Sequence, residues 1–62
     1  MANVGERYVD RDRRRPRRVV EIDTLTAPGY MLRTLEHPMK PGAVGRIYPI
    51  THATFEKFYE RL

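Results

Sequence analysis

Nine consecutive positions, Asp10 to Arg18, carry no side chain that a hydrophobic core can use, and six of them are arginine. Pro16 lies inside this stretch, lacks a backbone donor and breaks any helix. The segment therefore reads as a long solvated basic loop, 10–18, and the fold must be assembled from what lies on either side. In a chain of 62 residues that constraint is severe. A domain of this size buries only about 60% of the surface its unfolded form exposes, and its core supplies no more than about 3–5 kcal/mol of net stability. Most apolar side chains are needed for the core, which leaves few to line a deep substrate pocket. The expectation is one domain, 1–62, with a loose N-terminus at 1–5.

On the near side of the loop, Glu6 to Asp10 alternates polar and apolar at low contrast, as a short edge strand does. Beyond it, Arg18 to Leu25 is the clearest strand. Val20 and Ile22 alternate with Glu21 and Asp23, defining a dry face and a wet one. Thr26-Ala27-Pro28-Gly29 signals a turn, because proline presets φ and glycine accepts positive φ. Tyr30 to Leu35 then forms the partner strand of a hairpin. Pro38, Pro41, Gly42 and Gly45 mark a second long connection, and Val44 to Ile50 is a further strand. Pro49 cannot donate to a ladder, so it belongs on an edge or at the strand's end.

The last residues admit two readings. Phe55, Phe58, Tyr59 and Leu62 fall at i, i+3, i+4 and i+7, the period of an amphipathic helix capped by Thr51 or Thr54. Alternatively, one helical turn over His52 to Lys57 precedes a short closing strand, Phe58 to Leu62. Both readings bury Phe55 and Leu62. A lone hairpin is not stable in water, and curling a sheet toward closure removes vulnerable edges. The fold class expected is mainly β: a small twisted antiparallel sheet, a partly open five-stranded barrel, with a short helical turn or helix near the C-terminus.

This order of features resembles the Src-homology-type small β-barrels and, more narrowly, short proteins of actinobacteria and their phages. The likeness is carried by Gly5-Glu6-Arg7-Tyr8-Val9-Asp10, Asp12-Arg13-Arg14, Arg17-Arg18-Val19-Val20-Glu21-Ile22, Gly45-Arg46-Ile47 and the spaced pair Phe55 and Tyr59. The resemblance implies a long first loop after strand one, here the arginine segment. It also implies a single helical turn before the last strand, here Thr51 to Lys57. It brings no catalytic residues.

Charge points to the partner. Residues 1–18 hold seven arginines against Glu6, Asp10 and Asp12, whereas residues 19–62 hold five cations against five carboxylates. The whole net charge of +4 thus resides in the first third of the chain, an asymmetry that suits an anionic partner. Guanidinium groups are always charged and present planar donor forks that fit phosphate oxygens. Arg11, Arg13, Arg14, Arg15, Arg17 and Arg18 are the candidate phosphate contacts, and a flexible loop of them can follow a duplex backbone or enter its minor groove. Lys40 and Arg46 flank the glycine-containing turn 42–46 and extend the basic face. Tyr8 and Tyr48 are the tyrosines best placed for exposure and for stacking on unpaired bases. The function expected is a non-enzymatic module that binds nucleic-acid phosphates with little sequence preference. The alternative is a protein–protein adaptor or inhibitor whose arginine loop docks an acidic surface. A plainer outcome is a solvated loop in which Asp10 and Asp12 pair with neighbouring arginines.

Other chemistries find no footing in the sequence. Cysteine and serine are absent, which removes thiolate zinc sites, disulfides and two of the common nucleophiles. His37 and His52 lack a second ligand at helical spacing, so no metal or cofactor is expected, and both read as loop or surface residues. Gly42-Ala43-Val44-Gly45-Arg46 lacks the Lys-Ser/Thr ending of a phosphate-binding loop and is a turn. No apolar run resembles a signal or a membrane span. The expected setting is cytoplasmic, as a monomer or weak homodimer.

Overall fold

The computed structural model describes residues 2–14 and 17–62. Arg15 and Pro16, and with them part of the expected loop, lie outside the described residues. Strand β1 spans Arg7–Asp10, β2 spans Val19–Leu25 and β3 spans Gly29–Glu36. A 3-10 turn at Pro41–Ala43 precedes β4, Ile47–Thr51. Helix α1, His52–Phe58, leads directly into β5, Tyr59–Arg61. The five strands form one antiparallel sheet in the order β4-β3-β2-β1-β5.

The alternation in β2 organises the core. Val20 and Ile22 are fully buried, and their neighbours in register on β3, Thr34 and Leu32, are buried with them. Two register shifts between β2 and β3, at Val19/Val20 and Ile22/Thr24, bend this long hairpin. The sheet curls until Tyr48 of β4 and Tyr59 of β5, from its opposite edges, share a hydrogen bond. The result is a small, partly open barrel. Phe55 of α1 plugs one end, meeting Tyr8, Tyr30 and Tyr59 at ring-centroid distances of 4.7, 4.8 and 5.5 Å.

The C-terminal residues take the second of the two readings, a short helix followed by a closing strand. Thr51 caps the helix, its hydroxyl accepting from the backbone N–H of Thr54. Because the chain leaves the helix after Phe58, the seven-residue period never completes, and Leu62 is exposed rather than buried. The closing strand also changes the place of β1. It is not an edge, since β5 pairs along one side of it and β2 along the other. Pro49 does lie on an edge strand, β4, where its missing donor costs no ladder bond.

Residues 2–5, expected as a loose end, make defined contacts. Ala2 joins the buried core, the N–H of Asn3 donates to Glu6 Oε1, and that of Gly5 donates to the Ile22 carbonyl. Gly29 is required by close approach and not by positive φ. A Cβ there would collide with the Ile50 carbonyl oxygen and lie 2.7 Å from Thr51 Cα. Positive φ occurs instead at Gly5 and Gly45. Among the described residues no helix is long and apolar enough to cross a membrane, and no buried side-chain polar atom lacks a hydrogen-bond partner.

Candidate functional site

A groove of about 850 Å³ opens where three segments converge: the start of the first loop, the turn after β3 and the C-terminal end of α1. The first loop contributes Asp10, Arg11, Asp12, Arg13, Arg14 and Arg18. The turn supplies His37, Met39 and Lys40, and the helix supplies Lys57 and Phe58. Backbone contacts fix the junction. The N–H of Arg11 donates to the Phe58 carbonyl at 2.9 Å, and that of Asp10 donates to the Arg18 carbonyl at 3.2 Å. The 37–40 turn is closed by the Lys40 N–H, which donates to the carbonyl and to Nδ1 of His37.

The loop is not an array of free guanidinium groups. Asp10 binds Arg18 through both carboxylate oxygens, accepting from Nε and Nη2 at 3.2 Å each and from the backbone N–H at 2.9 Å. These bonds hold the Arg18 proton more tightly than usual, against the opposing effect of burial. Arg17 is folded back, donating to the Asp10 carbonyl at 3.1 Å and lying 3.5 Å from Glu60. Arg13 also reaches Glu60, at 2.7 Å, and Arg14 meets Asp12 at 3.2 Å. Arg11 donates to the Glu56 carbonyl at 3.0 Å, a contact that leaves its charge uncompensated. The pairing of Asp10 and Asp12 with neighbouring arginines, the plainer outcome weighed from the sequence, is present, and all five described loop arginines have partners within the chain.

Pairing does not exhaust the charge. Six cations and two carboxylates line the groove, a net of +4 with His37 neutral. Among the described residues Lys40 and Lys57 belong to no ion pair. Arg13 and Arg14 remain 70% and 91% exposed in their side chains, against 25% for Glu60 and 31% for Asp12, and surface pairs of this kind are worth about 0–1 kcal/mol.

Of the residues expected from sequence to meet an anion, Arg11, Arg13, Arg14, Arg18 and Lys40 come together in the groove. Arg17 does not line it. Nor does Arg46, whose carbonyl accepts from the Thr34 N–H just ahead of β4. Arg15 lies outside the described residues. Tyr8 and Tyr48 are the least buried of the tyrosines, yet both pack against the core and neither lines the groove. Tyr8 is held edge-on to Phe55 and bonds Glu6, and Tyr48 bonds Tyr59. Neither tyrosine therefore opens a ring onto this groove. Lys57, Met39, Phe58 and His37 line it instead. Tyr59, the first residue of β5, faces the core, and Phe58, the last of α1, turns outward.

Among the described residues no cluster of three or more His, Asp or Glu side chains is arranged to hold a metal ion. Fold and groove together define a small β-barrel with a cationic cleft. Comparison with family profiles, curated proteins and solved structures returns no match.

Proposed function

We propose that the chain is a non-enzymatic binding module that holds nucleic-acid phosphates in this groove, largely irrespective of base sequence. The observation that carries the reading is the excess of six cations over two carboxylates around one concave surface. Phosphate oxygens match the donor forks of Arg13 and Arg14, and they compete for guanidinium groups that are themselves largely exposed. A helical turn ahead of a closing strand supports the resemblance to Src-homology-type barrels as one of architecture. A cytoplasmic setting goes with this reading.

The test is a salt titration of oligonucleotide binding. The logarithm of affinity should fall linearly with the logarithm of salt concentration, each phosphate contact adding about 0.7–0.9 to the slope. Replacing Arg13, Arg14 and Lys40 together by Ala should lower both affinity and slope. Equal affinity and slope in wild type and triple variant would remove the proposal.

A further inference from the structure

We infer that the ligand of this groove is a single-stranded nucleic acid, with one base laid on Phe58 and the adjoining phosphates held by Arg14, Lys40 and Lys57. The inference rests on the polyanion reading above and narrows it. Phe58 is 49% exposed and Met39 is 71% exposed, and both lie in the same cleft as the cations. Apolar surface does nothing for a phosphate backbone alone, and a duplex keeps its base faces inside the stack. An unpaired base offers a flat apolar face and a phosphate within one nucleotide. The cleft matches that pairing: Lys57 Nζ stands over the Phe58 ring, 5.5 Å from its centroid, and a base laid on that ring displaces the ammonium toward the adjoining phosphate. Stacking of this type tolerates any base, because every base has a π face.

The first loop argues against a duplex from another direction. To enter a minor groove it would have to extend as an arm. Its described residues are instead tied back to the barrel, Arg11 to the backbone of Glu56 and Phe58 and Arg18 to Asp10. Residues 10–14 and Arg18 form one wall of a cleft into which a strand can be laid.

The experiment uses the full chain and four labelled probes: an oligothymidylate, an abasic oligomer of the same length, a duplex of the same length, and polyglutamate. Oligothymidylate should bind tightest. Phe58→Ala should weaken it by about tenfold, the effect of losing one stacked base, and leave the abasic oligomer unchanged. Phe58→Trp keeps a ring and introduces a sole tryptophan, since the chain has none. Its indole emission should be quenched by oligothymidylate and not by the abasic oligomer. If abasic oligomer and duplex bind as tightly as oligothymidylate and the emission of the Phe58→Trp variant stays constant, the stacking inference falls while the polyanion reading stands. If no nucleic acid binds at low salt, both fall, and capture of polyglutamate instead assigns the cleft to an acidic protein.

Discussion

The hydroxyls of Tyr48 and Tyr59 lie 2.8 Å apart, joining β4 to β5 across the one seam of the barrel that no backbone ladder closes. Tyr59 is almost fully buried, and Tyr48 packs against the same core. Removing the Tyr48 hydroxyl strands its partner in an apolar setting, so Tyr48→Phe should cost about 1–3 kcal/mol. The double change to Phe at both positions removes donor and acceptor together and should cost less than the two single changes combined. Urea unfolding of the four proteins gives the coupling, expected near 1 kcal/mol. Strict additivity would show that the seam is held by packing alone.

The same contact governs behaviour in alkali. Burial, and then the bond to Tyr48, raise the Tyr59 pKa well above the ordinary tyrosine value of 10. The folded state thus favours the protonated phenol more strongly than the unfolded state does. Its contribution is fully present below about pH 10 and is lost as pH rises beyond that toward the folded value. In a spectrophotometric titration, wild type minus Tyr59→Phe should show no phenolate absorbance where an exposed tyrosine has ionised. The signal should arrive with unfolding. Ionisation of Tyr59 near pH 10 in an intact fold would contradict the buried seam.

The sheet was legible because the signals that build it are local. Alternation in Val20, Glu21, Ile22 and Asp23 fixes a buried face, and Thr26 to Gly29 marks the hairpin; neither needs knowledge of distant residues. The position of β1 was not legible, because it depends on β5 arriving from the far end of the chain. The site divided in the same way. An arginine run announces charge, but the sequence does not say which carboxylates fold back onto it, and Glu60 lies 47 residues from Arg13. Phe58 was hidden by a helical period that the chain abandons one residue later.

Gly29 offers a direct test of how tightly β3 and β4 are apposed. The space beside its Cα is filled by backbone of Ile50 and Thr51, not by a flexible side chain. Gly29→Ala must therefore push β4 away from the hairpin, at a cost typical of overpacking, about 1–3 kcal/mol. For a domain this small each kcal/mol corresponds to about 4–8 °C in melting temperature. A variant that melts with wild type would mean that the two strands are not held at this separation. Gly42, where an added Cβ meets nothing within 4 Å, is the matched control.

Asp10 separates the structural role of the loop from its binding role. Its carboxylate holds Arg18 and the returning chain, yet it also faces the cleft as one of only two acids lining it. Asp10→Asn weakens the clamp, and with both partners partly in solvent the loss should be about 1 kcal/mol. The same change raises the net charge of the cleft by one and frees a guanidinium. Oligonucleotide affinity should therefore rise at low salt even as stability falls, and the advantage should shrink as salt screens the added charge. Thermal melts and binding measured on the same samples give the two effects separately. A variant that loses affinity in step with stability would show that order in the loop, rather than charge, controls what the cleft can hold.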